Sequence, residues 1–230
     1  MATELLTLNR TVVFLSALVY WSGVLVQARR VRRRIGRSPN VRPQGLKEKL
    51  LWAGWSFVVL AWLALPFLIG GATRLRGVAI IPSLVHPLGS ALGVIIMVLG
   101  YAGTLWCYIA MGSAWRMGVI RTEETHLVTR GPYRLVRHPI YLFQIVMVAA
   151  IAILLPSALS SMILVIHLLC VLTKAADEES HLRTLPGQSY EAYCANTGRW
   201  FPKLRRRKSP TASLSAADRD PLKSVEQPLE

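Results

Sequence analysis

Residues 125–141 read THLVTRGPYRLVRHPIY, a polar and cationic segment that lies between long apolar runs of the chain. The segment combines arginine, histidine and tyrosine with a Gly-Pro pair and a His-Pro pair, both of which favour turns. Ionisable side chains between membrane-spanning segments are costly unless they are paired or form a site. The segment is therefore predicted to form part of a functional site at a membrane surface.

The composition is that of a membrane protein. Of the 230 residues, 53% are hydrophobic and 17% are charged, which is too apolar for an ordinary soluble domain. The net charge of +15 comes from basic blocks that adjoin the apolar runs, as orientation signals of membrane proteins do. Because the aromatic residues lie in the apolar runs and not among the basic blocks, no nucleic-acid partner is predicted.

The cysteines give no sign of a metal site. Cys107, Cys170 and Cys194 have neither C-x-x-C spacing nor histidines at metal-ligand spacing. Two of the three fall inside apolar runs, where a small core residue is the usual interpretation. No metal and no disulfide framework is predicted.

Five apolar segments are predicted to be membrane-spanning helices, because each is a long run with few charges. They are residues 11–28, 50–69, 88–111, 141–155 and 158–172. The last two flank a Pro-Ser turn and are predicted to form a helical hairpin whose second arm continues beyond the membrane. The predicted fold is an all-α integral membrane helical bundle of about five transmembrane helices, without a Rossmann domain.

Two features inside the predicted spans concern packing. Gly89, Gly93, Gly100 and Gly103 recur at small-residue spacings that permit close helix contact. His167 lies within the second hairpin arm, where a lone histidine is either a functional candidate or a side chain with one hydrogen bond to a neighbouring helix.

A basic block determines the predicted orientation. Residues 29–49 are rich in arginine and lysine and contain one acid, Glu48, so they are predicted to form a cytoplasmic loop. The N-terminus then lies outside and the C-terminus lies in the cytoplasm. Residues 1–110 are assigned to three N-terminal helices, and residues 203–230, rich in Ser, Pro, Lys and Arg, to a disordered cytoplasmic tail.

Acidic residues are rare and unevenly placed. None occurs between residues 49 and 122 or between 125 and 176, and then Asp177, Glu178 and Glu179 follow one another. In the predicted hairpin these acids lie at the membrane face beside the basic segment. They either form a salt-bridge cluster that fastens two helix ends or line a pocket for a ligand with positive charge and ribose or ammonium groups.

Several common catalytic motifs are missing from the sequence. It contains no G-x-G-x-x-G after a predicted strand, no Walker A motif, no G-x-S-x-G and no H-E-x-x-H. These absences disfavour soluble nucleotide-binding folds, serine hydrolases and metalloproteases.

Two separated motifs lie next to the predicted hairpin. The first is Leu127-Val128-Thr129-x-Gly131-Pro132-Tyr133-x-x-Val136-Arg137-His138-Pro139-x-Tyr141. The second is Glu178-Glu179, followed by Leu182, Gly187, Tyr190, Tyr193 and Arg199-Trp200-Phe201-Pro202. In these motifs the sequence resembles the isoprenylcysteine carboxyl methyltransferase family and the membrane methyltransferases related to it. The resemblance covers about residues 112–202, and it implies that residues 111–202 form a catalytic methyltransferase region.

The resemblance implies that S-adenosylmethionine binds in a pocket formed by the two motifs. The residues implied to bind it are Thr125, His126, Leu127, Val128, Tyr133, His138, Pro139, Tyr141 and Glu178. Arg137 is implied to support an adjacent carboxylate or the loop itself. Lys174 stands where eukaryotic members have an arginine on the acceptor side, so Lys174 and Arg137 are the predicted acceptor-binding residues.

Three residues are the catalytic candidates: Arg137, His138 and Glu179. Methyl transfer from a sulfonium to a carboxylate needs mainly alignment and removal of water, and no general base. An amine or hydroxyl acceptor would need one, and His138 or Glu179 would supply it.

The leading hypothesis is S-adenosylmethionine-dependent methyl transfer to a lipophilic acceptor at the cytoplasmic membrane face. The form that the resemblance implies is carboxyl O-methylation of an isoprenylcysteine-like compound, with membrane lipids as further partners. The alternatives are a phospholipid or other lipid methyltransferase, an NADPH-dependent sterol-type reductase, and a non-catalytic membrane protein of the same fold.

Overall fold

The computed structural model describes residues 2–36, 45–70, 78–115, 127–184 and 190–203. Within these ranges the chain is mostly helical and has no β-strand, apart from an isolated bridge between Val136 and Gly198. The all-α prediction is therefore confirmed for the described part of the chain. Thr125, His126, Gly187 and the predicted tail from residue 204 onward lie outside it.

Six α-helices follow one another along the described ranges. They are α1 (Ala2–Ile35), α2 (Leu46–Gly70), α3 (Pro87–Met111), α4 (Pro139–Leu154), α5 (Ala158–Thr184) and α6 (Tyr190–Asn196). The helices α1, α2, α3 and α5 are long and apolar enough to cross a membrane. The fifth apolar helix, α4, has 16 residues and is too short for a full straight crossing, as expected for the first arm of the hairpin. The protein is an integral membrane protein.

The predicted basic loop is shorter than residues 29–49. Helix α1 continues to Ile35 and α2 begins at Leu46, so Arg29–Arg34 and residues 46–49 are helical. Arginine is a good helix former, and Val31, at 1% exposure, packs this end of α1 onto the core. With 34 residues, α1 is about 51 Å long. Its arginine-rich end therefore extends past a hydrocarbon core of ~30 Å.

The long helices form a ring. Helix α1 packs against α2 and α3, α2 packs against α5, and α4 lies between α3 and α5. One core cluster runs through the ring, with Leu65, Met147, Ile151, Leu154 and Ile163 among its most buried members. The ring matters for function because its helix ends carry both halves of the predicted site.

The hairpin turn between α4 and α5 is held by serine side chains. The Ser157 backbone N–H donates to Ser160 Oγ at 3.0 Å, and the Ser160 backbone N–H donates to Ser157 Oγ at 3.2 Å. This reciprocal arrangement satisfies backbone groups at the start of α5 that have no partner within the helix. The turn is also tied to another loop, because the Ile81 N–H donates to the Pro156 carbonyl at 2.9 Å.

Close packing of α3 on α4 depends on glycine. A Cβ atom at Gly100 would lie 2.5 Å from Met147 Cγ and 2.9 Å from the Phe143 carbonyl oxygen, and one at Gly103 would lie 2.2 Å from the Phe143 ring. At Gly93 the nearest atom would be Leu154 Cγ, at 2.7 Å. The prediction of close helix contact is confirmed for Gly93, Gly100 and Gly103. It is wrong for Gly89, where a Cβ would meet the ring of His86, the N-cap of the same helix.

Replacing Gly100 with alanine should destabilise the bundle. The added methyl would meet the α4 backbone, which cannot move aside as a flexible side chain can, and overpacking of this kind costs about 1–3 kcal/mol. Thermal unfolding in detergent checks the prediction, with Gly45→Ala as the control because nothing lies within 4 Å of a Cβ at Gly45. Equal melting temperatures for the two variants would contradict the packing argument.

Candidate functional site

The 127–138 segment is anchored to the end of α3. Gly131 has φ +60°, a conformation that favours glycine, and a Cβ there would lie 3.0 Å from Ala110 Cβ. The neighbouring Arg130 donates through Nε to the Ala110 carbonyl at 3.0 Å. Val128 packs against the buried cluster of Cys107, Ala110 and Tyr133. These contacts bring the first motif against the bundle.

Backbone hydrogen bonds join residues 198–199 to the first motif. The Arg137 N–H donates to the Gly198 carbonyl at 2.8 Å, and the His138 N–H donates to the Arg199 carbonyl at 3.4 Å. The Tyr193 hydroxyl donates to the Tyr133 carbonyl at 2.6 Å. The short extended pairing therefore places Arg199 and Trp200 beside the start of α4.

Glu179 binds three basic groups through one carboxylate oxygen. Its Oε1 lies 3.2 Å from Arg137 Nε, 3.0 Å from His138 Nε2 and 3.2 Å from Arg199 Nε. The Glu179 side chain is 12% exposed and that of His138 is 6% exposed. Arg137 makes a second hydrogen bond, in which its NH1 donates to the Thr197 carbonyl at 2.7 Å. Glu179 thus joins α5 to the first motif and to residues 197–199.

Glu178 faces a different neighbour. Its Oε1 accepts a hydrogen bond from the Tyr141 hydroxyl at 2.6 Å, while its Oε2 lies 3.9 Å from His138 Nδ1. The Glu178 side chain is 29% exposed, more than the 12% of Glu179. Of the two predicted roles, the salt-bridge cluster is observed at Glu179, and the ligand pocket stays a prediction, with Glu178 as its candidate.

Aromatic rings border the same position. The His138 and Tyr141 rings are stacked, with centroids 5.8 Å apart and planes 22° apart. The Trp200 ring lies 5.6 Å from His138, and the Arg199 guanidinium carbon lies 5.8 Å from the Trp200 centroid. Tyr133 is buried, and its hydroxyl lies beside the Cys107 thiol. A ligand here would meet ring faces and the partly exposed carboxylate of Glu178.

Burial and charge set the protonation of the motif. Burial lowers the pKa of His138 below its ordinary value, against the opposing effect of its hydrogen bond to Glu179. His138 is therefore neutral at pH 7. If its Nε2 carries the hydrogen that is donated to Glu179, Nδ1 keeps a lone pair. Burial raises the pKa of Tyr133 well above 10. Partial burial alone would lower the pKa of Arg137, but the charge of Glu179 raises it.

Acidification should destabilise the protein through His138. The unfolded chain binds a proton at this residue near pH 6.5, whereas the folded protein binds it only at lower pH. The unfolded state thus holds more protons in that window, and the stability present above pH 6.5 is lost as the pH falls. For a single residue, the free energy of unfolding changes by at most about 1.4 kcal/mol per pH unit.

Melting curves from pH 7.5 to 5.5 for the parent and a His138→Gln variant measure this contribution. The parent should lose more stability than the variant over this range. Parallel pH dependences for the two proteins would contradict the assignment.

Three further predicted site residues belong to the described ranges, whereas Thr125 and His126 lie outside them. Pro139 is the first residue of α4, with His138 as its N-cap. Lys174 is half-buried on α5, one turn before Glu178, and Leu127 is half-buried beside Val128. Among the described predicted residues, the structure brings Tyr133, Arg137, His138, Tyr141 and Glu178 together with Glu179.

Sequence reasoning assigned no role to Arg199 or Thr197. The Arg199-Trp200 pair was recognised as part of the second motif, but its partner was not. The sequence does offer one signal for Arg199. The two motifs contain more basic than acidic side chains, which predicts that more than one cation pairs with the same glutamate. The carbonyl of Thr197 carries no side-chain signal, because backbone oxygens are present at every residue.

Comparisons with known proteins find similarity over part of the chain. Residues 88–189 match the family model described as phospholipid methyltransferase. The nickel-cobalt-cadmium resistance protein NccN from Alcaligenes xylosoxydans xylosoxydans is 25% identical over 112 residues, which are 49% of this chain and 49% of that protein.

Among solved structures, the eukaryotic intramembrane Ras methyltransferase ICMT (isoprenylcysteine carboxyl methyltransferase) matches with 20% identity and a TM-score of 0.46. The match covers 69% of this chain and 54% of that one, so the chain spans about half the length of the relatives it matches. Residues 88–189, which are less than half of the chain, are thus similar to the family described as phospholipid methyltransferase.

Proposed function

We propose that the protein transfers a methyl group from S-adenosylmethionine to a lipophilic acceptor at the cytoplasmic membrane face. The observation that carries this proposal is the pairing of Glu178 with Tyr141 next to the Glu179 cluster, at the ends of membrane-spanning helices. The position combines a partly exposed carboxylate, ring faces and cations beside lipid.

The residues present fit this cofactor by their chemistry. S-Adenosylmethionine carries a sulfonium cation, an adenine, a ribose diol and an amino-acid end. The partly exposed carboxylate of Glu178 suits the diol or the ammonium group, and the Tyr141 and Trp200 rings suit a cation or a base. The Tyr133 hydroxyl, beside the Cys107 thiol, can both donate and accept a hydrogen bond. Thr125, His126, Leu127, Val128 and Pro139 are proposed to complete the pocket. When bound, the cofactor supplies an electrophilic methyl group.

The chain's own residues align the reactants. Glu179 holds Arg137, His138 and Arg199 on one oxygen, so its first role is to position them. Because Arg137 is occupied by Glu179 and Thr197, Arg199 and Lys174 are the cations with more freedom to meet an anionic acceptor. Neutral His138 can accept a proton from an amine or hydroxyl acceptor through Nδ1, and a carboxylate acceptor needs no such step.

The surplus of cations favours a carboxylate acceptor, and we propose O-methylation of an isoprenylcysteine-like compound. Arg137, Arg199 and Lys174 lie near two glutamates, and Arg or Lys side chains bind carboxylates well. The second candidate is methylation of a phospholipid amine, which the description of the matching family favours.

The arginine-rich end of α1 supports the cytoplasmic placement. Helix α1 contacts the 3₁₀ turn Gly112–Ala114, which directly follows α3, and the Lys47 ammonium on α2 pairs with Asp177 beside the site. The basic block and the site therefore lie on one side of the bundle, which the positive-inside rule assigns to the cytoplasm. Reporter fusions at residue 40 test this: an external signal there would overturn the orientation.

The chemistry of the product separates the two acceptors. The purified protein in nanodiscs is incubated with methyl-labelled S-adenosylmethionine and with N-acetyl-S-farnesylcysteine, palmitate or phosphatidylethanolamine. Methylation of a carboxylate gives an ester that releases labelled methanol in alkali, whereas N-methylation gives a product stable to alkali. We expect the ester from farnesylcysteine.

Binding measurements decide among the broader alternatives. Calorimetry should show binding of S-adenosylhomocysteine, the demethylated product, at micromolar concentration. Binding of NADPH without S-adenosylhomocysteine would point to a sterol-type reductase. Binding of neither compound would point to a non-catalytic member of the fold.

A further inference from the structure

The end of α1 carries a group of arginines that point away from the bundle. These residues, termed the arginine fan, are Arg29, Arg30, Arg32, Arg33 and Arg34. All five side chains are exposed. Val31, within the same stretch, is 1% exposed and packs on the core. Because consecutive helical residues point about 100° apart, an inward-facing Val31 directs the five arginines outward over about 200° of the helix surface.

The arginine fan lies at the depth of lipid headgroups. Residues 11–28 of α1 form an apolar helical stretch about 27 Å long, which is close to the ~30 Å of a hydrocarbon core. The arginines therefore begin where the core ends. From Arg29 to Arg34 the helix rises about 7.5 Å, and the headgroup layer on each side of a bilayer is about 5–7 Å thick. The fan thus occupies the layer that contains the lipid phosphates.

Two rows of exposed side chains run along this end of α1. Residues four apart are neighbours on one face of a helix. The first row is Leu25, Arg29 and Arg33, and the second row is Val26, Arg30 and Arg34. Leu25 is 57% exposed and Val26 is 43% exposed. Each row therefore presents an apolar side chain at the level of the hydrocarbon core and two guanidinium groups at the level of the headgroups, as a phospholipid presents an acyl chain and a phosphate.

The neighbouring sequence offers little negative charge to the fan. Like charges four residues apart on one helix face repel each other and destabilise the helix. Glu48 is the only acid from residue 5 to residue 122, and Asp177, which approaches from α5, pairs with Lys47. An anion bound between the two arginines of a row would turn this repulsion into attraction.

The residue type of the fan points to phosphate. Membrane orientation depends on lysine and arginine alike, yet every basic residue of the fan is arginine, while Lys47 and Lys49 lie at the start of α2. A guanidinium group binds phosphate through two parallel hydrogen bonds, whereas an ammonium group acts as a point charge. Orientation alone therefore does not account for five arginines.

We propose that the arginine fan binds two anionic phospholipid molecules, one on each row. The phosphodiester of each lipid lies between two arginines that are four residues apart, and an acyl chain runs along Leu25 or Val26. The two lipids neutralise the repulsion between the arginines and hold this end of α1 in the headgroup layer. The site does not depend on the proposed methyl transfer, because none of its residues belongs to the candidate functional site.

Native mass spectrometry of the purified protein tests the site. The protein is released from mixed micelles with equal amounts of phosphatidylglycerol and phosphatidylcholine, which carry the same acyl chains and differ in net charge. The parent should retain two phosphatidylglycerol molecules in about fivefold or greater excess over phosphatidylcholine, because each arginine near an anionic surface contributes about fivefold in affinity. Retention of the two lipids in equal amounts would overturn the proposal.

Row variants assign the lipids to their arginines. Each replaces both arginines of one row with glutamine and should lose one of the two phosphatidylglycerol molecules. The control, Arg134→Gln with Arg183→Gln, removes the same charge from exposed arginines outside α1 and should retain both lipids. Circular dichroism checks that the helical content of each variant equals that of the parent. Equal lipid loss in the control and the row variants would show that only net charge matters and would contradict the proposal.

Soluble competitors test whether the ligand is a lipid. Glycerophosphoglycerol has the headgroup of phosphatidylglycerol without its acyl chains, so it should not displace the bound lipid at equal concentration. Inorganic phosphate should also leave the lipid in place. Displacement by either compound would show that the apolar part of each row makes no contribution.

Discussion

A Glu178→Gln variant should bind S-adenosylhomocysteine about 10- to 150-fold more weakly than the parent. The substitution keeps an oxygen that can accept from Tyr141, so the fold is retained, but it removes the charge that a ribose diol or an ammonium group would meet. A hydrogen bond to a charged group contributes about 1.5–3 kcal/mol, which corresponds to this loss of affinity. Isothermal titration calorimetry in detergent gives the dissociation constants directly.

The matched control for this variant is Asp177→Asn. Asp177 lies on the same turn of α5 but pairs with Lys47 at the surface, where the lysine side chain is 60% exposed. Its substitution should alter the affinity less than twofold. If the Glu178→Gln protein binds the ligand as tightly as the parent, the pocket does not include Glu178.

A Glu179→Gln variant should lose stability as well as activity. The change leaves Arg137, His138 and Arg199 around an uncharged amide, and loss of one partner from a buried ion pair costs about 3–5 kcal/mol. We expect the lower end of this range, because the Arg199 side chain is 36% exposed and water partly screens its charge. A loss of about 3 kcal/mol lowers the melting temperature of a chain of this size by about 6–12 °C.

Glu191→Gln is the control for this second variant. Glu191 also pairs with an arginine, Arg183, but the two side chains are 74% and 53% exposed at a distance of 3.7 Å. An exposed pair of this kind contributes little, so the melting temperature should hardly move. Equal behaviour of the Glu179 and Glu191 variants would show that the cluster is not structural.

Together the two glutamate variants separate binding from positioning. The Glu178 variant should melt like the parent and bind poorly, whereas the Glu179 variant should melt early and lose activity through displacement of its three cations. The opposite pattern would exchange the roles proposed for the two acids.

Much of the bundle was predictable because membrane insertion depends on local composition. Apolar length identified the spans, the Pro-Ser pair identified the hairpin turn, and glycine spacing identified the α3–α4 contact. The extent of α1 was not predictable in this way. Its arginines are compatible with both a loop and a helix, and the packing of Val31 on the core decides between them.

The candidate site was also predictable from the sequence only in part. The two motifs could be placed together from sequence, since a hairpin returns residues 177–179 to the level of the first motif. The partner of each glutamate could not be predicted from the sequence. Consecutive residues of a helix point about 100° apart, so the neighbouring elements determine which groups each side chain contacts. Arg199 joined Glu179 only through the backbone pairing of 136–138 with 198–199.

The sequence by itself determined that this chain crosses a membrane, forms a helical hairpin and carries two motifs with charged residues beside it. Hydropathy and residue chemistry suffice for those features, because they act within one segment. Only the tertiary structure decided that residues 137–138 are held against α5 by Glu179 while Glu178 pairs with Tyr141. It also placed the His167 ring edge-on against Trp55, without a hydrogen bond to the described residues, since contacts between distant segments follow from packing.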